Sequence, residues 1–506
     1  MAGTAQGTAV DADVVIVGAG PTGLMLAGEL RLGGARVIVA ERLAEPTGQS
    51  RGLGFTARAM EIFDQRGLLP RFGQGETLET SPMGHFGGLQ FDFTTLPGAH
   101  FGARGIPQYQ TEAVLEEWAG GLGADIRRGW EFLELAEGFL TGEGVEVTFG
   151  TPEGVRTLRA GYLVGCDGGG SQVRKAAGFA FPGLPATRAM FLADVTGLNL
   201  KPRFLGERLP HGMVMAAPLA EGVDRIIVCP HGTPARDRDE SVTFEEVAAA
   251  WQHITGEDIS HGGADWVSSF SDAARQVDSY RRGRVLLAGD AAHIHLPAGG
   301  QGLSTGVQDA ANLGWKLAAT VTGRAPAGLL DSYHTERHAV GSRLLMNTRA
   351  QGFVFLGGEP ADPLRTVIAE LLGHEEVKQH LAGVVSHLDV HYAAPEGAHP
   401  LTGHRLGEHT LVGKEGESAV FAELHGGRGL LLDLADDAGV RAAGGGLTDR
   451  LTTVTATLKS APGDADRLDG VRALLVRPDG YVAWAGETTE GLTDAVRQWF
   501  GEASSA

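Results

Sequence analysis

Two kinds of apolar pattern divide this chain. Val14-Val15-Ile16-Val17, Val37-Ile38-Val39-Ala40, Tyr162-Leu163-Val164 and Val285-Leu286-Leu287 are short, almost wholly apolar runs. Such runs predict strands covered on both faces, as in a parallel sheet. After the first run, Leu24, Leu26, Ala27 and Leu30 recur at helical spacing, and a longer helix is predicted over residues 303–319. Elsewhere the period is two. Phe86 to Phe93, Met213 to Ala216 and Asp224 to Cys229 predict antiparallel strands. The polar stretch 331–338 reads as a surface or domain-packing helix, and residues 361–392 as helices leading away from the parallel sheet. From about residue 395 the texture changes. A Gly/His/Pro-rich stretch at 396–404 precedes strands at 429–434, 451–456 and 471–476. A turn at Pro478-Asp479-Gly480, a strand at 481–484 and a helix at 490–500 complete this last part.

One junction carries chemistry. Gly18-Ala19-Gly20-Pro21-Thr22-Gly23 lies between the first strand and its helix, and the second strand ends at Glu41. Strand, glycine turn, helix, strand and acid in this order form a dinucleotide-binding fingerprint. Gly18 permits the sharp turn, Gly20 lets a pyrophosphate reach the backbone, and Gly23 lets helix and strand pack closely. The helix N-terminus offers free N–H groups to the phosphates. Glu41 is placed to accept hydrogen bonds from a ribose diol and would repel a 2′-phosphate, which leaves FAD or NAD. Gly52-Leu53-Gly54-Phe55-Thr56-Ala57 fits the same spacing, but no apolar strand precedes it. It reads as a decoy.

Charge narrows the partners. Lys and Arg number 42 against 62 Asp and Glu, a net charge of −20, which disfavours a nucleic-acid backbone. No apolar run approaches the roughly 18 residues of a membrane span. The first dozen residues hold no Lys or Arg and read as a short disordered leader, not a signal peptide. Two cysteines, Cys166 and Cys229, are too few for a disulfide framework and read as buried thiols. A cytoplasmic location is expected. His293 and His295 share one strand face, but no third ligand is marked, so no metal is expected. Glycine, 77 of 506 residues, is about double its usual share and implies many turns or close backbone approaches.

Two further segments give the pattern a family. Tyr162 to Gly168 ends in Cys166-Asp167-Gly168, and Arg284 to His293 carries Gly289-Asp290-Ala291-Ala292-His293. Pro297 and Gly299-Gly300-Gln301-Gly302 follow. The three glycine motifs in this order resemble the single-component FAD-dependent aromatic hydroxylases of the para-hydroxybenzoate and phenol hydroxylase class. Residues 50–67, 84–88, 122–129, 162–169, 283–302 and 477–485 are similar to angucycline polyketide hydroxylases, with Gln49 where a glutamate is expected.

The resemblance implies an α/β, mixed α+β fold. A Rossmann-like FAD domain would be built discontinuously from residues 12–82, 105–180 and 280–394. An inserted antiparallel-sheet substrate domain would comprise 83–104 and 181–279, and a thioredoxin-like C-terminal domain 395–506. That last domain has no cysteine, so thiol–disulfide chemistry is excluded there. The implied FAD is non-covalent and contacted by Gly18, Gly20, Gly23, Glu41, Arg42, Arg51, Gln108, Asp167, Asp290, Pro297, Gly300, Gly302 and Leu303. Gln110 is the rival of Gln108 if the register slips by two. Asp290 would bind the ribityl hydroxyls, and the helix opening at Gly302 and Leu303 would face the pyrimidine edge of the flavin.

NADPH, as a transient co-substrate, and O₂ complete the implied reaction. This is hydroxylation of an angucyclinone-type polycyclic aromatic polyketide at C-12, with or without dehydration of its A ring, in antibiotic biosynthesis. Gln90 and Phe91 are substrate candidates, and no general base is assignable. A Baeyer–Villiger oxygenase and a non-catalytic flavin-binding accessory protein are the rival readings. The chain would be a monomer or homodimer.

Overall fold

The computed structural model describes residues 10–73, 81–93, 96, 101–237, 240–459 and 468–503. Residues 1–9 of the expected leader lie outside the described residues. The protein is mixed α/β, with a largely parallel sheet, an antiparallel sheet beside it and a C-terminal sheet domain.

The apolar runs pair as strands in parallel. Ala12–Val17 lies between Val37–Glu41 and Gly154–Gly165, and Val285–Leu287 pairs with the far side of Gly154–Gly165. Asp125–Arg128 extends the sheet beyond Val37–Glu41. Val17 and Leu287 both register against Gly165, so three strands end level and their following loops share one edge. Ligands in open α/β sheets bind beyond such carboxyl ends. Helix Pro21–Leu32 and the long helix Gln301–Val321 pack together over the sheet. The packing is close because glycines face side chains. A methyl on Gly33 would lie 2.3 Å from Ala318 Cβ, and one on Gly314 would lie 2.2 Å from Glu29 Cβ.

The period-two segments form antiparallel strands, but not all in one sheet. Five strands run in the order Arg203–Leu209, Gly212–Ala220, Val223–Pro230, Ala189–Thr196, Gly263–Ser271. Their inner face buries Val195, Val214, Ile226 and Val228 against Trp251 and Ile254 of helix Phe244–Thr255. That helix is fixed at its start by a reciprocal capping box of Thr243 and Glu246. Met83–Phe86 and Leu89–Asp92 instead make a separate two-stranded hairpin. The expected single sheet of 83–104 with 181–279 is therefore corrected. Phe86, Phe91 and Phe93 pack on Val354, Ala382 and Val385, so the hairpin takes its apolar partners from helices and not from the sheet.

Among the described residues the C-terminal domain holds six strands, ordered Gly416–Ala419, Thr410–Gly413, Leu451–Lys459, Gly429–Asp433, Ala473–Val476, Val482–Gly486. Gly429–Asp433 and Leu451–Lys459 are parallel, joined through helix Ala438–Ala443. Buried arginines fasten this domain to the rest. Arg66 donates to both oxygens of Glu29, at 2.6 and 2.9 Å, and to the carbonyls of Leu424 and Pro478. Arg58 donates to Glu61 and to the carbonyl of Asp479. Helix Glu375–Ser386 does not lead away as expected. It ends at His387, whose ring meets Gln301 and Gln308 on the long helix.

Candidate functional site

The level strand ends bring the glycine motifs together. Gly18 has φ +106°, which an L side chain rarely adopts, and a methyl there would lie 2.5 Å from the carbonyl oxygen of Cys166. A methyl on Gly23 would lie 2.0 Å from the Gly18 carbonyl oxygen. Both glycines are thus required by backbone packing. Gly20 differs: its backbone is extended and nothing lies within 4 Å of where a methyl would point. The position opens into a cradle at the start of helix Pro21–Leu32, whose first turn has neither a side-chain cap nor an acidic residue. Its first N–H groups lack intrahelical acceptors. The turn Gly289–Ala291 sits against the same helix, since a methyl on Gly289 would lie 2.7 Å from Thr22 Oγ1.

A second helix start lies nearby. Gly299 and Gly300 both have positive φ and lead into helix Gln301–Val321, again with no side-chain cap and no acid in its first turn. Pro297 and Gly300 are exposed, while Gly302 and Leu303 are half-buried. A methyl on Gly52 would lie 2.2 Å from Leu303 Cδ1, so the second GxGxxA match is the loop that abuts this helix start. It is not a second dinucleotide turn, as expected. Gln108 opens helix Gln108–Gly121; its Oε1 accepts from Gly52 N–H at 3.3 Å and its Nε2 donates to Glu112. Gln110 is exposed, and its side-chain amide donates to the Tyr109 hydroxyl. Arg51 stands exposed at the head of this loop.

The acidic candidates fall into three environments. Asp290 is exposed at the strand end and makes no internal hydrogen bond among the described residues. Glu41 accepts N–H bonds from Ala19 and Leu43, each at 2.9 Å, and so braces the glycine turn beside which a ribose would lie. Arg42, beyond it, is exposed. Asp167 is turned inward. Its carboxylate accepts from Ser171 Oγ at 2.5 Å and from the N–H groups of Gln172 and Val173, capping helix Gln172–Ala176. Burial raises its carboxyl above the usual range, while these donors lower it in part. Burial also pushes the Cys166 thiol well up and Cys229 up to about 12, in keeping with inert thiols.

The two histidines separate. His293 is wholly buried and its Nε2 meets Asp309 at 2.8 Å. His295 Nδ1 faces the carbonyl of Leu296 at 2.7 Å, its Nε2 lies beside Gly302, and burial lowers its pKa. Among the described residues no group of three His, Cys, Asp or Glu could hold a metal ion. The substrate candidates also separate. Gln90 is exposed, and Phe91 fills the hairpin core with its ring edge-on to Phe93.

Sequence reasoning missed the residue that joins sheet to loop. Arg225 of the five-stranded sheet is buried, pairs with both oxygens of Asp194 at 2.6 and 2.7 Å, and donates to the carbonyl of Ser50 beside Arg51. No motif surrounds it, and it stands on the sheet face opposite Ile226 and Val228.

The open cradle at Gly20, two uncapped helix starts free of acid, and the outward carboxylate of Asp290 suit a dinucleotide with a long polyhydroxyl link. These residues fit FAD. Residues 11–348 match the FAD binding domain family, and residues 399–503 match the aromatic-ring hydroxylase C-terminal family. The chain belongs to this FAD-dependent aromatic-ring hydroxylase family.

Relatives share its whole length. CabE, an aromatic hydroxylase from angucycline biosynthesis, is 58% identical with a TM-score of 0.93, covering 97% of this chain and 100% of that one. BexE, which takes part in oxidation during BE-7585A biosynthesis, is 56% identical with a TM-score of 0.91, covering 98% and 100%. The 12-dehydrotetracycline 5-monooxygenase/anhydrotetracycline 6-monooxygenase of Streptomyces rimosus is 44% identical, covering 97% of this chain and 99% of that protein. Among the described residues no helix is long and apolar enough to cross a membrane.

Proposed function

We propose that this protein hydroxylates an angucyclinone-type polycyclic aromatic polyketide at C-12, with NADPH as transient electron donor, in the cytoplasm. The observation that carries the reading is the 58% identity, over 97% of the chain, to an aromatic hydroxylase of angucycline biosynthesis. Bound FAD, once reduced, supplies the activation of O₂ for transfer of one oxygen atom to an electron-rich ring. The protein's own part is placement. Gly18, Gly20 and Gly23 admit the pyrophosphate, Glu41 and Arg42 border the adenosine, and Asp290 receives the ribityl hydroxyls. Pro297, Gly300, Gly302 and Leu303 bring a helix start to the flavin ring, where its dipole favours negative charge. Arg51 and Gln108 line the opposite loop. Asp167 acts indirectly, by capping the helix that follows its strand. The five-stranded sheet, tied by Arg225 to Ser50, would cover the substrate side of the bound flavin and limit water.

The test is incubation of the FAD-loaded protein with NADPH and a panel of angucyclinones under ¹⁸O₂. One labelled oxygen on an intact ring skeleton is expected, with flavin bleaching accelerated by substrate. A ring-expanded product would establish the Baeyer–Villiger reading instead, and no bleaching with any angucyclinone would support an accessory role.

A further inference from the structure

One buried carboxylate grips both ends of the turn that carries Asp290. Asp309 lies two helical turns into Gln301–Val321 and is wholly buried. Its Oδ2 accepts the backbone N–H of Gly289 at 3.1 Å and meets His293 Nε2 at 2.8 Å. Its Oδ1 accepts the Nε–H of Arg337 at 2.7 Å. A carboxylate can only accept, so His293 carries its proton on Nε2 and its tautomer is fixed. Gly289 and His293 bracket Asp290, whose carboxylate accepts no hydrogen bond among the described residues. Arg337 is wholly buried as well, and also donates to the Thr305 carbonyl and Tyr392 hydroxyl, at 3.4 and 3.3 Å. Burial pushes the Asp309 carboxyl up, but Arg337 and then His293 pull it down further, leaving it below the usual carboxylate range.

Two alternative roles fit poorly. Asp309 is too enclosed to meet a substrate, and its three donors leave no room for a cation. What it does control is the path of residues 289–293. Gly289 has φ +61°, and the exposed Asp290 side chain points wherever that backbone sends it.

We propose that Asp309 is a positioning residue for the cofactor: through the Gly289 N–H and His293 it holds the turn that aims Asp290 at the ribityl chain, while Arg337 fixes its carboxylate. The inference rests on the reading of Asp290 as an FAD ligand. It reaches the ribityl half of the cofactor and not the adenosine half, which Gly18–Gly23 and Glu41 serve.

The experiment uses deflavo protein titrated with FAD, by flavin fluorescence, and with ADP, by calorimetry. Asp309→Asn keeps the volume but turns one acceptor into a donor, so one of the three N–H partners is left facing another donor. FAD binding is expected to weaken at least about tenfold, or about 1.4 kcal/mol, with ADP binding unchanged. His293→Ala should weaken FAD in the same direction, and His293→Gln, which can still donate to Asp309, should restore much of the loss. Asp290→Ala is the reference. If it keeps normal FAD affinity, the reading of Asp290 fails first. If it loses FAD while Asp309→Asn and His293→Ala bind FAD normally, the clamp is overturned. Equal loss of FAD and ADP in those two variants would also overturn it, as general damage. Should Asp309→Asn not fold, the His293 pair decides alone.

Discussion

Replacing Gly20 by Ala separates the role of the cradle from the role of the fold. The Gly20 backbone is extended, at φ −78° and ψ 178°, and nothing lies within 4 Å of the new methyl. Alanine adopts that conformation without strain, and its stiffer unfolded chain favours the native state by roughly 0.4–1 kcal/mol. Deflavo protein should therefore melt at the same temperature or slightly higher. The methyl does, however, occupy the space that a pyrophosphate needs to come within about 2.9 Å of the helix N–H groups. Losing one charge-assisted hydrogen bond costs about 1.5–3 kcal/mol, or roughly 10- to 150-fold in the Kd for FAD.

Gly23→Ala supplies the contrast. Its methyl would meet the Gly18 carbonyl oxygen at 2.0 Å, so helix and strand must part and the deflavo protein itself should lose about 1–3 kcal/mol. Scanning calorimetry of the deflavo proteins and fluorescence titration with FAD measure the two quantities. A lowered melting temperature for Gly20→Ala, or an unchanged FAD Kd, would refute the assignment of that opening to the pyrophosphate.

Arg225→Met should leave Asp194 buried without its partner and destabilise the protein by about 3–5 kcal/mol; urea unfolding that matches the wild type would show the pair to be dispensable. Glu408 gives a pH test. Burial, reinforced by nearby Asp64, pushes its carboxyl from 4.5 up to about 7, against the N–H bonds from Phe421 and Val420. The folded state then binds more protons than the unfolded state between pH 4.5 and 7, so this group's contribution is full below 4.5 and fades as pH rises through 7. Glu408→Gln should remove that slope, gaining on the wild type as pH increases, and thermal melts that diverge in the opposite sense would contradict it.

Much of the architecture was legible because its signals are local. A run such as Val14 to Val17, all nearly inaccessible, can only be a doubly covered strand. A glycine turn between that strand and a helix has few alternatives to phosphate binding. The strands and final helix of the C-terminal domain followed the same logic. The hairpin at 83–92 was less legible, since alternation states that one face is buried but not against what. Its phenylalanines chose Val354 and Ala382 from helices more than 260 residues further on. The polar stretch 331–338 left a surface and a domain-packing helix both open, and the burial of Tyr333 and Arg337 selects packing. Charge in sequence does not disclose whether a partner waits for it in the fold.

By itself, then, the sequence determined the strand–turn–helix units, the dinucleotide chemistry and, through motif order, the flavin hydroxylase family. These depend on neighbours a few residues apart, where geometry is set by backbone sterics and side-chain period. Only the tertiary structure decided which buried charges meet: Asp309 with Gly289, His293 and Arg337, and Arg225 with Asp194 and Ser50. Isolated ions are costly to bury, so each of these groups is inside only because folding brings its partner from a distant part of the chain.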